Sequence, residues 1–232
     1  MKIATWNCAQ ALNRKLALVQ ELGVDICVVP EAEHTLYNLL PTEDFVWQGM
    51  NNSKGIGVYA VGLSLKIAAA HANPLWYYFV PITVDQDRFR ILAVWAFNGR
   101  TKKFGADATG EPSAVLPMLS GWLSEKPAFV ADDFNNSVVW DKAGKATNFH
   151  RVHEWLREHG FASAYHTYFQ EALGKKRYPT HYHRKSAAGS FHIDYLYTNR
   201  PESIERVEVG RPSRWLEFSD HFPIVVNIKD DV

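Results

Sequence analysis

The feature that most constrains the fold is a series of eight apolar runs, each about as long as a β-strand. They are residues 3–6, 26–29, 56–61, 77–84, 89–97, 128–130, 192–197 and 224–228. Within them, apolar residues alternate with polar ones or are continuous, which is the pattern of strands with one or both faces buried. The third, fourth and fifth runs follow one another with no helical pattern between them, so antiparallel pairing is expected there.

Helical spacing of apolar residues occurs in three places between these runs. It covers residues 16–22, 115–122 and 148–159, and glycines follow the first and the third. Because helices separate some strands and not others, the sequence predicts a mixed α/β protein whose sheets are covered by helices. No linker divides the chain, so we expect a single domain over residues 1–232.

Composition excludes several classes of protein. Of the 232 residues, 47% are hydrophobic and 22% are charged, so a folded core is expected rather than disorder. Lys+Arg and Asp+Glu number 25 each, which weakens any proposal that overall positive charge drives binding to nucleic acid or membrane. Local patches must then carry such a role.

Cysteine usage and the first residues indicate a cytoplasmic protein. Cys8 and Cys27 lie in apolar, strand-like surroundings without a CxxC pattern, so neither a disulfide framework nor a cysteine zinc site is indicated. No secretory signal is visible, and polar residues such as His71 and prolines such as Pro74 interrupt the uncharged stretch 67–84. We expect no membrane segment, no evident protein partner and a monomeric state.

Acidic and amide residues recur directly beside the apolar runs. They are Asn7, Glu31, Asp133, Asn135 and Asp220, the last followed by His221. Asp194 is set inside an apolar run, where a charge costs free energy unless it is paired or bound to a metal. Oxygen ligands converging from strand ends are what Mg²⁺ requires.

Most of these residues also have an ordinary structural interpretation. Glu31 alone fits a solvated turn, Asp133 and Asn135 fit an Asx-turn, and Asp220 fits a cap on a strand or turn. Asp194 has no easy structural role. The combination of residues therefore favours a functional site more than any one of them does.

Five motifs resemble those of the endonuclease/exonuclease/phosphatase family, in the family's order. They are Thr5-Trp6-Asn7, Pro30-Glu31, Asp132-Asp133-Phe134-Asn135, His192-Ile193-Asp194-Tyr195 and Ser219-Asp220-His221-Phe222-Pro223. The resemblance implies a DNase I-like fold, which is a two-sheet β-sandwich flanked by helices in four α/β/β/α layers. It also implies an active site with a divalent metal at one edge of the sheets.

Matched positions in these motifs imply roles for individual residues. Glu31 would be the principal metal ligand, assisted by Asn7 and Asp220, with Mg²⁺ as the cofactor and Mn²⁺ as a possible substitute.

The catalytic set implied by the same motifs is Asp133, Asn135, Asp194 and His221. Asp133 would orient or deprotonate the attacking water, and Asn135 would donate an uncharged hydrogen bond to the phosphate or to a catalytic neighbour. Asp194 would hold a protonated His221 that stabilises the transition state. Asp133 and His221 can exchange the role of general base on paper.

The departures from the family motifs concern substrate more than catalysis. Pro30 replaces a glutamine, Asp132 a glycine and His192 an arginine. Residues 95–98 match a Tyr-x-x-Asn motif of the abasic-site endonuclease branch, with Trp95 in place of the tyrosine and Asn98 retained. Both are candidate substrate contacts, although Trp95 also fits the core of a strand.

Residues 165–185 interleave aromatic and basic side chains. The basic candidates are Lys175, Lys176 and Arg177, and a second cluster follows Asn98 at Arg100, Lys102 and Lys103. Basic groups contact phosphates and aromatic rings stack on bases, so these loops could follow a nucleic-acid strand. The alternative is that both are ordinary solvated loops.

Histidine spacing offers a competing metal site. His181 with His183, and His150 with His153, have spacings that zinc could use, but no HExxH pattern or third ligand accompanies them. Zinc is therefore disfavoured.

Together these features predict a Mg²⁺-dependent phosphodiesterase that acts on DNA as an endonuclease or an exonuclease III-like enzyme. Two alternatives remain open. One is a phosphatase or phosphodiesterase for a small phosphorylated molecule or a phospholipid headgroup, and the other is a binding module with a degenerate site.

Overall fold

Fourteen strands and six α-helices, with short 3₁₀ helices between them, form the regular structure of the described residues. The computed structural model describes residues 1–38, 40, 44–76, 78–97, 110–175 and 177–229. The strands are β1 (Lys2–Thr5), β2 (Ile26–Ala32), β3 (Phe45–Asn51), β4 (Lys54–Ala60), β5 (Leu65–Ile67), β6 (Phe79–Val84), β7 (Phe89–Trp95), β8 (Ala128–Asp133), β9 (Ala162–Ser163), β10 (His181–Tyr182), β11 (Ser190–Phe191), β12 (Asp194–Thr198), β13 (Ile204–Val209) and β14 (Ile224–Ile228). The helices are α1 (Leu16–Glu21), α2 (Pro112–Val115), α3 (Ser120–Ser124), α4 (Phe149–Glu158), α5 (Ala164–Phe169) and α6 (Pro212–Trp215).

Two six-stranded sheets dominate the structure. Their strand orders are β13-β14-β1-β2-β4-β3 and β5-β6-β7-β8-β12-β9, and β10 and β11 form a separate two-stranded pair. Within the described residues, β1 with β2 and β7 with β8 are the parallel pairs, and the other pairs are antiparallel. The predicted antiparallel pairing is confirmed for β6 with β7. The preceding run, β4, lies in the other sheet and pairs antiparallel with β2 and β3 instead.

Alternation along the strands divides the core into layers. In β8, Phe129 and Ala131 face the cluster between the two sheets, while Ala128 and Val130 face the outer side. That outer cluster includes apolar residues of α3 and α4, whereas residues of α1 and α6 cover the other sheet. The expected four-layer α/β/β/α sandwich is therefore confirmed.

The predicted elements differ from the observed ones at specific places. The helical pattern at 115–122 is broken into α2, the 3₁₀ helix Leu116–Leu119 and α3. Pro117 lies in the first turn of the 3₁₀ helix, and because it has no N–H it cannot continue α2. Residues 192 and 193 precede β12 rather than belonging to it.

The uncharged stretch 67–84 folds as expected, from the end of β5 through a turn to β6. Tyr77, at the predicted start of its second strand, lies outside the described residues. Across the ranges described, no helix combines the length and apolarity needed to span a membrane.

Candidate active site

Strand direction brings the predicted site residues to one edge of the sandwich. β1 and β2 are parallel, so Asn7, just beyond β1, and Glu31, near the end of β2, lie at the same edge. In the other sheet, Asp133 ends β8 and pairs with Asp194, which begins the antiparallel β12. The amide of Asn7 connects the two sheets by donating to Asp133 Oδ2 at 3.0 Å.

Asp194 and His221 form a buried pair. His221 Nδ1 lies 2.9 Å from Asp194 Oδ1 and 3.1 Å from Oδ2. Burial disfavours the charged imidazole, but the carboxylates of Asp194 and then Asp133 outweigh it and raise the pKa of His221 to about 10. The predicted orientation of His221 by Asp194 is present in this geometry.

Asp133 is held by amides rather than by a cationic partner. Its Oδ1 accepts the Asn135 backbone N–H at 2.7 Å, and its Oδ2 accepts the side-chain amides of Asn7 and Asn135, each at 3.0 Å. Burial, with help from Asp194, raises the pKa of Asp133 to about 7 against the opposing effect of His221. This carboxyl therefore changes protonation state near neutral pH.

Glu31 projects from an irregular point of β2. The pairing of β2 with β4 shifts register between Pro30 and Ala32, and Glu31 itself has a φ of +63°. A bulge re-aims a side chain, and left-handed backbone at a non-glycine residue is a strain typical of functional sites. Glu31 Oε1 lies 3.5 Å from Asn7 Nδ2, and Oε2 pairs with Lys54 Nζ at 3.0 Å.

Asp220 lies beside this cluster with a partner that the sequence prediction missed. Its Oδ2 is 3.5 Å from His181 Nε2, and the hydrogen bond from His181 lowers the pKa of Asp220 to about 2. The ring of His181 is also 4.5 Å from that of His221. The one sequence signal for His181 was its spacing to His183.

The potential metal ligands fall into two overlapping groups. Asp133, Asp194 and His221 each offer a ligand atom within 4.8 Å of the others, as do His181, Asp220 and His221. In the portion of the chain that the structure describes, Glu31, predicted as the principal metal ligand, joins neither group, and nor do His150, His153 and His183. His153 instead bonds through Nδ1 to the Tyr197 hydroxyl at 3.0 Å.

Asp132 is buried beneath the site in an unfavourable environment. It is fully buried, its φ is +108°, and neither carboxyl oxygen has a hydrogen-bond partner. The nearby Thr5 hydroxyl favours the charged form but is not within bonding geometry. Burial therefore raises the pKa of Asp132 well above its ordinary value.

The predicted substrate contacts are less clustered than the acidic residues. Trp95 is 3% exposed, packs against Tyr78 and Phe97, and lies under the ammonium of Lys54. Its surroundings are those of the core between the sheets, so a direct substrate contact stays a prediction.

The loop candidates are only partly described. Lys175 and Arg177 are exposed, and Arg177 pairs with Glu171. Asn98 and Lys176 lie outside the described residues, as do Arg100, Lys102 and Lys103.

Three solved structures are similar to the chain over nearly its whole length. A variant of the 3′ phosphatase NExo from Neisseria, bound to a product DNA hairpin, has a TM-score of 0.70 at 18% identity, covering 99% of each chain. The 3′-5′ exonuclease NExo from Neisseria meningitidis has a TM-score of 0.67 at 18% identity and covers 99% of this chain and 100% of that one. An AP endonuclease from Archaeoglobus fulgidus has a TM-score of 0.66 at 16% identity, with both chains fully covered.

No family model matches the chain, and no curated protein matches it. The structural likeness nevertheless extends over both sheets and the covering helices, since coverage is 99% or more. The chain therefore has the DNase I-like fold that its five motifs implied.

Proposed function

We propose that this chain is a divalent-metal-dependent phosphoester hydrolase that cleaves phosphodiester bonds in DNA. The observation that carries the proposal is the convergence of Asp133, Asp194 and His221, all buried, with Asn7 and Glu31 at one edge of the sandwich. Two buried carboxylates around one imidazole cost free energy, and clusters of this kind are typical of functional sites.

The donor set fits a divalent cation with a preference for oxygen. Glu31 and Asp220 would supply carboxylate oxygens, as Mg²⁺ requires and Mn²⁺ accepts. Asn7 presents its amide nitrogen to Glu31 and Asp133, and its Oδ1 accepts the Ala9 N–H at 3.0 Å. The Lys54 pair with Glu31 is partly exposed and therefore weak, so it leaves Glu31 able to bind another cation. A bound cation would neutralise charge that develops on the phosphate or the leaving oxygen.

Asp133 fits the role of general base. A pKa of about 7 leaves a substantial carboxylate fraction at neutral pH and gives that carboxylate more basicity than an ordinary aspartate. The amides of Asn7 and Asn135 fix its orientation. We assign to Asp133 the removal of a proton from the attacking water.

Asn135 supports Asp133 rather than the phosphate. Its side-chain nitrogen donates to the Ala96 carbonyl at 3.0 Å as well as to Asp133 Oδ2. Both amide protons are thus engaged. Of the two roles left open by the sequence, the bond to a catalytic neighbour is the better supported.

His221 fits the role of a cationic donor to the phosphate. With a pKa of about 10 the imidazole is protonated at neutral pH, and its Nδ1 is committed to Asp194. Nε2 is then the atom that can donate to an oxygen of the pentacovalent transition state. This division of labour favours Asp133 over His221 as the base.

The choice of DNA rests on the neighbours and stays a proposal. Two of them carry the names 3′-5′ exonuclease and AP endonuclease, and the third is bound to a DNA hairpin. That third neighbour is called a 3′ phosphatase, which favours phosphomonoester hydrolysis as a second candidate activity. Cleavage of small phosphoesters or phospholipid headgroups has no comparable support.

A substrate panel tests the proposal directly. The purified chain and its Glu31→Gln variant would be incubated with Mg²⁺, Mn²⁺ or chelator and with abasic duplex, plain duplex, a 3′-phosphate hairpin, single strand, RNA and bis-p-nitrophenyl phosphate. We expect metal-dependent cleavage of DNA that Glu31→Gln reduces. Cleavage that persists in chelator, or hydrolysis confined to the small ester, would contradict the proposal.

A further inference from the structure

A second cleft lies beside β10, outside the cluster of catalytic candidates. Its volume is about 390 Å³, within the range of small-molecule binding sites. We refer to it as the tyrosine-arginine pocket, after six of its lining residues. They are Tyr168, Tyr178, Tyr182, Arg177, Arg206 and Arg211.

One wall of this pocket is a preformed aromatic surface. The ring of Phe169 lies 5.0 Å from that of Tyr168 and 5.1 Å from that of Tyr178. Tyr168 and Tyr178 are 42% and 43% exposed, so their rings are accessible to a ligand. Exposed rings of this kind can stack on nucleobases of any sequence.

The segment that carries Tyr178 is held rigidly. The hydroxyl of Tyr165 accepts the backbone N–H groups of Arg177 and Tyr178, each at 3.1 Å, and donates to Glu171 Oε2 at 2.9 Å. Glu171 Oε1 in turn pairs with Arg177 Nε at 3.1 Å. The pocket wall is thus ordered before any ligand arrives, which reduces the entropy lost on binding.

The charge of the pocket suits an anion. Three arginines line it against one acid, Glu208. Arg206 pairs with Glu208 at 3.0 Å, but both side chains are more than half exposed, so the pair is weak. Arg211 is exposed and forms no ion pair with the residues that the structure describes.

Strand β10 lies between the pocket and the candidate active site. Tyr182 lines the pocket, and the adjacent His181 lies against His221. Successive side chains of a strand point to opposite faces, so β10 separates the pocket from the catalytic cluster by its own thickness. The Tyr182 N–H also donates to the Asp220 carbonyl at 2.7 Å, which fixes the pocket wall to the site.

We propose that the tyrosine-arginine pocket binds an unpaired nucleotide of the substrate strand, with its base on the tyrosines and its phosphate near Arg211. This inference rests on the proposed function. Combined stacking surface and guanidinium groups favour a nucleotide over an apolar peptide, which would leave the arginines unused, and over a lipid headgroup, which would leave the rings unused.

Binding of fluorescein-labelled DNA hairpins, closed by a non-nucleotide linker so that the loop offers no unpaired base, tests this assignment. Anisotropy titrations in chelator, which prevents cleavage and lowers the affinity for both hairpins alike, would compare a blunt hairpin with one carrying a single-stranded overhang. They would use the wild-type chain, Tyr178→Ala, Tyr178→Phe and Arg211→Ala. Arg88→Ala is the matched control, because Arg88 is exposed and precedes β7, at the opposite end of that strand from Trp95. Thermal unfolding would verify that each variant is folded.

We expect Tyr178→Ala to weaken binding of the overhang hairpin by roughly 5- to 150-fold, the loss that corresponds to one base stack. Tyr178→Phe should retain binding because the ring remains. Arg211→Ala should reduce the slope of log affinity against log salt by about 0.7, the value for one phosphate contact with a single strand. Binding of the blunt hairpin and the Arg88→Ala titration should not change.

Equal affinity of the wild-type chain for both hairpins would overturn the inference, as would Tyr178→Ala binding the overhang normally. Equal losses on both hairpins would also overturn it, because they would indicate a duplex contact. Hydrolysis of bis-p-nitrophenyl phosphate by the same variants separates this inference from the proposed function. If the wild-type chain hydrolyses the ester but binds both hairpins equally, only the pocket inference fails. If it prefers the overhang hairpin but does not hydrolyse the ester, only the proposed hydrolase activity is rejected.

Discussion

Replacing Asp132 by glycine should stabilise the protein, and the reason is local to this residue. Asp132 combines a left-handed φ of +108° with a fully buried carboxyl whose two oxygens have no hydrogen-bond partner. Glycine adopts positive φ without steric cost. It is also the residue that the resembling family motif carries at this position.

The expected gain follows from four contributions. An unsatisfied buried polar group costs about 1–3 kcal/mol, and a residue in a sparsely populated backbone region costs about 1–3 kcal/mol. Against these, glycine increases the entropy lost on folding by about 0.5–1 kcal/mol, and the small cavity left behind costs about 1 kcal/mol. Asp132→Gly should therefore raise the free energy of unfolding by about 2 kcal/mol, which for this length is about 4–8 °C in Tm.

The pH dependence of this gain identifies its cause. Because the pKa of Asp132 is raised in the folded protein, the folded state keeps a proton that the unfolded chain releases above about pH 4. Wild-type stability then decreases as pH rises from there towards the folded pKa. The gain in the free energy of unfolding from Asp132→Gly should be smallest near pH 4 and should increase towards pH 8. Asp133 titrates in both proteins, so its titration does not produce this difference.

Urea unfolding at pH 4 and at pH 8, in chelator, measures the difference in the free energy of unfolding between the variant and wild type. Asp132→Asn is the matched control. The asparagine variant removes the titrating group but keeps the backbone strain and a buried polar side chain. Its difference from Asp132→Gly should thus be independent of pH. An Asp132→Gly protein that is no more stable than wild type, or equally stabilised at pH 4 and pH 8, would refute the reasoning.

Three further outcomes follow from the described contacts. The rate of hydrolysis of a small phosphoester should rise as Asp133 loses its proton near pH 7 and fall as His221 loses its proton near pH 10. Asp194→Asn should shift the falling limb of this profile to lower pH, and an unmoved limb would show that Asp194 does not raise the pKa of His221. Mg²⁺ at 100 times its Kd should stabilise the wild-type chain by about 2.7 kcal/mol in thermal unfolding; Glu31→Gln should show a smaller gain, and equal shifts would remove Glu31 from the metal site. Lys15 Nζ donates to the carbonyls of residues 8, 10 and 218 at 2.5–2.9 Å. Lys15→Met should therefore lower the free energy of unfolding, measured in urea, by about 1.5–3 kcal/mol. An unchanged free energy of unfolding would show that water replaces these bonds.

The strands that could be predicted from the sequence are those whose own residues form an apolar pattern. β7 is buried along its whole length and, apart from Arg90, consists of apolar residues. β13, by contrast, is an edge strand in which Glu205, Arg206 and Glu208 are exposed, so its sequence lacks that pattern. β10 and β11 have two residues each, and their pairing depends on long-range docking that no local pattern encodes.

The site residues likewise divide into those that the sequence could predict and those that it could not. Asn7, Glu31 and Asp133 could be predicted because strand ends in a sandwich meet at a common edge. His181 could not, because its position depends on the bridge between residues 181 and 221, which are forty positions apart. Lys54 was likewise missed as the partner of Glu31, since nothing in the local sequence of β4 distinguishes it from a solvated lysine.

The charges at the site give the proposed hydrolase a physical reason to need a cation. Glu31, Asp194 and Asp220 are acidic, and Asp133 joins them above pH 7, whereas Lys54 and His221 supply the nearby positive charge. The local balance is therefore negative, and it would repel a phosphodiester. At physiological salt, charges are screened over about 8 Å, so distant basic loops do little to offset this negative charge. A divalent cation at the acidic cluster reverses this local sign, so substrate affinity, and not only the rate, should depend on the metal.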